Sequence, residues 1–203
     1  MRDCLERVDS LTTGSNLDLS TGSRVEVSIT GLSHDGQGVA RLNDRVLFVS
    51  GALPGEQVAV RLTHRARRHW LAELEQVLVP APERQRPPCI LAEHCGGCSV
   101  QHFADSGQQH WKHQKVVDAI RRIAHLDTPV APLLAAPESL GYRNRAIIPL
   151  ERREDGRLRA GFYRRGTHTI VNMNHCPVLD PRLDSLIALL KADLEASDWP
   201  VDR

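Results

Sequence analysis

Residues 24–62 read RVEVSITGLSHDGQGVARLNDRVLFVSGALPGEQVAVRL. Val25, Val27 and Ile29 alternate with Glu26 and Ser28, the period of a half-buried strand. Asp35-Gly36-Gln37-Gly38 is a turn, and Val39-Ala40-Arg41-Leu42 follows it as a second strand. Asn43-Asp44 makes a tight turn before a third, Val46-Leu47-Phe48-Val49. Leu53-Pro54-Gly55-Glu56 sets Pro and Gly where a type II turn favours them. Val58, Val60 and Leu62 alternate again, and Trp70-Leu71-Ala72-Glu73-Leu74 opens a fifth strand ending near Val79. Short strands at regular spacing, punctuated by turns, predict a small closed sheet. Five of them fit an OB-like β-barrel, a fold that often binds oligonucleotides.

Upstream, residues 1–22 are rich in Ser, Thr, Asp and Gly without periodicity and predict a mobile tail. Between the fourth and fifth strands Arg61, His64, Arg65, Arg67, Arg68 and His69 cluster. Like charges gathered this way repel one another unless an anion is near. Arg65, Arg67 and Arg68 are therefore candidate phosphate contacts, the plainer alternative being a solvated hairpin tip. Trp70 reads as a core residue. Residues 80–88, PAPERQRPP, predict a stiff linker.

The linker runs into CILAEHCGGC, residues 89–98, and a fourth thiol follows far downstream in Asn174-His175-Cys176-Pro177. A tight loop bearing Cys89, Cys95 and Cys98, closed by a distant Cys176, is a common way to hold an iron–sulfur cluster. Gly96 and Gly97 allow positive φ and close backbone approach in such a loop. A four-Cys zinc site uses the same ligands but more often shows two C-x2-C pairs. A disulfide is disfavoured in a chain with no secretory signal, and four scattered small apolar residues would be an unusual coincidence. His94, His102 and His175 read as polar neighbours, and Cys4 as a free thiol.

Residues 107–124 have helical apolar spacing at Trp111, Val116, Val117, Ile120 and Ile123. Residues 128–138 are Pro/Ala-rich and irregular. Strands are expected over 142–150, 158–163 and 169–173, with a turn at Glu154-Asp155-Gly156. A last amphipathic helix spans 181–194, with Leu183, Leu186, Ile187, Leu190 and Leu194 on its apolar face. Arg164, Arg165 and His168 form a second basic group at a turn, beside Phe162 and Tyr163, one of which is expected to pack inside and the other to be available for stacking on a base. The 203 residues carry a net charge of +1 and no apolar run of membrane-spanning length, so the expected compartment is the cytoplasm. The fold class is α+β: tail (1–22), five-stranded OB-like barrel (23–80), linker and cysteine loop (81–105), and a partial α/β central domain (106–203).

The order of barrel, Pro-rich linker, C-x5-C-G-G-C-x2-Q-H, helix, Gly141-Tyr142-Arg143-Asn144-Arg145, Gly161-Phe162-Tyr163-Arg164-Arg165 and His175-Cys176-Pro177 resembles the N-terminal part of the TRAM-containing RNA uracil-5 methyltransferases. The resemblance implies a TRAM barrel and a 4Fe-4S cluster on Cys89, Cys95, Cys98 and Cys176. It implies 23S rRNA as partner, with Arg143, Asn144 and Arg145 as RNA contacts, their alternative being ion pairs with Glu138, Glu151 or Asp155. Such enzymes continue into an S-adenosylmethionine-binding domain with a nucleophilic Cys, and they flip the target uracil out of its stack. The sequence in hand ends at Arg203, so an inactive, monomeric fragment is expected, with a cluster that is structural. The alternative is a stand-alone iron–sulfur RNA-binding protein without catalysis.

Overall fold

The computed structural model describes residues 19–197, 199 and 200, in two units that divide between Arg84 and Gln85. Cys4 and most of the expected tail lie outside the described residues. Leu19 packs against the core of the first unit, and the Gly22 N–H donates to the Leu62 carbonyl at 2.7 Å. Leu19 and Gly22, inside the expected tail, thus make contacts with the first unit.

The first unit is one curled sheet of β1 (Arg24–Ser28), β2 (Gly31–Leu32), β3 (Gly38–Leu42), β4 (Arg45–Ser50), β5 (Gln57–Arg65) and β6 (His69–Val79). Its strand order is β1-β5-β6-β4-β3-β2; β4 and β6 run parallel, the other neighbours antiparallel. The sheet has six strands rather than the expected five because the first strand changes partner midway. The Ile29 N–H donates to Glu56 on the β5 side (2.9 Å), and the next N–H, of Thr30, donates to Val39 of β3 (2.8 Å). One continuous segment therefore pairs with both β5 and β3. Val25, Val27, Leu47, Val49, Val58, Val60, Leu62 and Trp70 fill the interior, as their alternation demands. Gly55, at φ 85°, takes the left-handed position of the type II turn.

That turn also holds the start of the linker. Glu56 is fully buried. Its carboxylate accepts from the N–H groups of Leu53 (2.8 Å) and Ala81 (3.3 Å) and from the Arg84 guanidinium (2.8 Å at Nη2), which also reaches the Gly51 carbonyl. Burial pushes the Glu56 pKa up, but Arg84 and the two N–H donors outweigh it and hold the carboxyl below its ordinary value. Ala81 and Arg84, at the start of the expected stiff linker, are thus bound to the first unit.

The second unit contains α1 (Asp105–Arg122), the hairpin of β7 (Leu150–Arg152) and β8 (Leu158–Ala160), and α2 (Pro181–Ala196). Two expected strands, over 142–150 and 169–173, are instead extended segments with isolated bridges, Arg143 to Leu179 and Tyr163 to Ile170, supported by a few further backbone hydrogen bonds. Pro149 has no N–H to give a ladder, and the Ala160 N–H bonds to the Asn172 side chain instead of to a neighbouring strand (3.2 Å). Met173, Cys176, Val178, Leu179 and Ile187 form the core, with Leu91, Cys98, Ile148 and Phe162 packed on it. Asp180 caps α2 by accepting from the Arg182 N–H (2.9 Å), ahead of Pro181 at the first helical position. The helical apolar stripes are present but only partly covered. α1 buries only Gly107, and α2 leaves Leu186, Leu189 and Leu190 exposed. No helix among the described residues is long and apolar enough to cross a membrane.

Candidate metal centre and basic hairpin

The cysteine loop is a chain of tight turns. The Cys95 N–H donates to the Leu91 carbonyl (2.7 Å) and the Ala92 N–H to that of Cys89 (3.2 Å). Cys176 arrives from the other side, fixed by Asp184 of α2. One Asp184 oxygen accepts from the Cys176 N–H (2.6 Å), and the other pairs with His175. Cys89, Cys95, Cys98 and Cys176 then line a single cavity with Leu91, Phe162, Met173, Val178 and Arg143. None of the four is disulfide-bonded. Burial pushes the Cys98 thiol up, as do Cys176 and Cys95, against the pull of Arg143. Burial pushes Cys89 up as well. Two donors are in place for thiolate sulfurs: the Gly97 N–H toward Cys95 Sγ (3.4 Å) and Gln101 Nε2 toward Cys98 Sγ (3.3 Å).

Four thiols on one cavity are the donor type of a Cys-ligated cluster. Among the described residues no group of three or more His, Cys, Asp or Glu side chains stands close enough to hold one metal ion. A larger inorganic core, bound at its corners, does not need its ligands so close together.

The two loop glycines serve one of their two expected purposes. Neither has positive φ. What each supplies is room. A Cβ at Gly96 would lie 2.9 Å from the Tyr163 carbonyl oxygen and 3.1 Å from Arg165 Cα; at Gly97 it would lie 3.3 Å from the Phe162 ring. The segment that crowds them is the basic, aromatic hairpin. The Gly96 N–H donates to the Tyr163 carbonyl (2.8 Å), Cys95 bridges Arg164, and Arg165 donates to the Cys98 carbonyl (3.0 Å). The hairpin closes through the Arg164 N–H to Thr169 (2.8 Å). Phe162 is the aromatic that packs inside. Tyr163 is 41% exposed and meets His168 edge-on, centroids 5.6 Å apart.

The other candidate contacts are distributed as follows. Arg143 is half-buried and lines the thiol cavity, whereas Asn144 and Arg145 are exposed. Glu151 and Asp155, the alternative partners for these arginines, face Arg159 (3.8 Å) and Arg153 (3.7 Å). In the first unit, Arg67 and Arg68 are exposed, while Arg65 lies over the buried Trp70 ring at 5.5 Å. Arg45 donates to the carbonyls of Ala66 (3.2 Å) and Arg67 (3.0 Å) and sets the shape of their loop. Asp184, Gln101 and Arg45 escaped the sequence reading as site-shaping residues. A lone polar residue on a helix or strand carries no periodic signal, and only Gln101 stood in a recognisable motif.

The TRAM domain description matches residues 19–74. An RNA methyltransferase of unassigned target from Parasynechococcus marenigrum is 46% identical over 195 residues, 95% of this chain and 42% of that protein. The 23S rRNA (uracil(1939)-C(5))-methyltransferase RlmD of Halomonas elongata is 36% identical over 92% of this chain and 39% of its own length. The crystal structure of Pyrococcus abyssi tRNA (uracil-54, C5)-methyltransferase with S-adenosyl-L-homocysteine matches with a TM-score of 0.58 and 27% identity, over 84% of this chain and 36% of that one. This chain therefore carries a TRAM domain and is, along nearly all of its length, a relative of RNA methyltransferases, spanning about two fifths of the length of the curated proteins it matches.

Proposed function

We propose that these residues are the RNA-recognition and iron–sulfur portion of an S-adenosylmethionine-dependent uracil-5 methyltransferase acting on 23S rRNA. The observation that carries this reading is the convergence of Cys89, Cys95, Cys98 and Cys176 on one cavity under a hairpin bearing Tyr163, Arg164 and Arg165. The four thiolates would hold a 4Fe-4S cluster that ties distant segments together and, fully ligated by Cys, leaves no iron open to substrate. Gln101 and the Gly97 N–H would donate to its sulfur ligands, and Arg143 would offset their negative charge. Arg67 and Arg68, with Arg65 beside them, and Asn144, Arg145, Arg164 and Arg165 bind and orient RNA through phosphate contacts. Counting β1 and β2 as one bent strand gives five strands, which supports an OB-like barrel for the TRAM unit. S-adenosylmethionine, when bound, supplies the methyl group; we assign that step to the part of the relatives that this chain does not span.

Anaerobically purified chain is expected to contain about four iron atoms and to lose them when any of the four cysteines is replaced by Ser. Stoichiometric zinc without iron would overturn the cluster. Loop RNA should bind in a strongly salt-dependent way, and replacing Arg65, Arg67 and Arg68 together by Gln should flatten the slope of log affinity against log salt. Methyl transfer to RNA by the 203-residue chain alone would overturn the division of labour.

A further inference from the structure

We infer that Tyr163, buttressed by His168, is a stacking platform for one unpaired RNA base. The inference rests on the RNA-binding reading above and specifies where in the second unit a base is held. Adjacent residues of an extended segment point to opposite sides, and here Phe162 packs on the core while Tyr163 is 41% exposed. The Tyr163 and His168 rings meet at an interplanar angle of 71°. An edge contact of this kind covers at most one face of the tyrosine ring and leaves the other for a base.

The surroundings suit a single strand. Arg164 and Arg165 are both exposed and adjoin the ring in sequence. Arg165 spends one Nη2 bond on the Cys98 carbonyl, which fixes its guanidinium and leaves other N–H donors for a phosphate. The tyrosine is also pre-positioned. Its carbonyl accepts from the Gly96 N–H at 2.8 Å, and its backbone bridges Ile170. A duplex keeps its base faces stacked on one another, so this platform favours loops and single strands.

The test uses the anaerobically purified full chain with a loop RNA carrying 2-aminopurine at each loop position in turn, and a fully paired duplex of equal charge. Wild type is expected to quench 2-aminopurine at one position. Tyr163→Ala should abolish that quenching and weaken loop binding about 10-fold or more, the loss of one base stack. Tyr163→Phe, which keeps the ring, should retain both. Duplex affinity and the salt slope should be the same in all three proteins, because the arginines are untouched. Loop affinity and quenching unchanged in Tyr163→Ala would overturn the platform and leave RNA binding standing. Absence of binding to either RNA by wild type would overturn both.

Discussion

At the scale of single residues, the site is governed by how closely two backbones approach. Gly96 has ordinary φ, so a left-handed conformation is not what requires glycine there. The atoms within 3.1 Å of its missing Cβ are the Tyr163 carbonyl oxygen and the Arg165 backbone. Backbone atoms cannot rotate aside as a side chain can. Gly96→Ala is therefore expected to destabilise the second unit by about 1–3 kcal/mol, the usual cost of overpacking. Gly31 of β2 has open space around its Cβ position. Gly31→Ala should be neutral, or stabilising by up to about 1 kcal/mol, through the entropy of the unfolded chain. Urea melts of the two variants check the contrast, and equal effects would refute the steric account. Arg143 illustrates the same scale from the side of charge. Its sequence neighbourhood points to RNA, but its half-buried position beside the thiols sets it toward the cavity.

At the scale of elements, two carboxylates anchor segments that would otherwise be loose. Asp184 links α2 to the Cys176 segment through the Cys176 N–H. Asp184→Ala is expected to speed hydrogen exchange at the Cys176 amide by at least about 10-fold, taking about 1.5–3 kcal/mol for a hydrogen bond to a charged group. Unchanged protection would show that core packing alone holds the segment. Glu56 does the corresponding job between the turn before β5 and Arg84. Removing the partner of a buried carboxylate costs about 3–5 kcal/mol. Arg84→Met should fall near about 3 kcal/mol, because two backbone donors remain. The pH dependence has a definite sign. The folded pKa of Glu56 lies below the ordinary 4.5, so its contribution is complete above that value and is lost as pH falls through the lowered one. Glu56→Gln should remove this part of the acid limb in pH-dependent urea melts of the first unit. An acid limb identical to wild type would contradict the assignment.

At the scale of the whole molecule, the chain divides at Arg84, and the four thiols all belong to the second unit. The proposed cluster, shared by Cys98 and Cys176, would close a long loop and so constrain the unfolded chain, and metal binding would then be coupled to folding of what lies between. Chelation of the metal is expected to raise hydrogen exchange across residues 89–176 and leave residues 24–79 protected. Equal protection with and without metal across 89–176 would refute a stapling role and favour a redox one.

The strands β3 to β6, the two helices and the set of four cysteines were legible in the sequence, because alternation, helical spacing and ligand spacing are local patterns. The division of the first strand between β5 and β3 was not legible, since Ile29 and Thr30 bond to partners distant in sequence. Periodicity likewise marked the apolar stripes of α1 and α2 without showing that much of each is uncovered among the described residues. The choice between Phe162 and Tyr163 depended on the cysteine loop and core that pack against only one face of their hairpin. By itself the sequence determined the main strands of the first unit and the two helices, and it set out four cysteines as candidate ligands, because those follow from side-chain chemistry at short range. Only the tertiary structure decided which aromatic faces outward, which arginine faces the thiols and why Gly96 must be glycine, because each depends on what another part of the chain brings within a few ångströms.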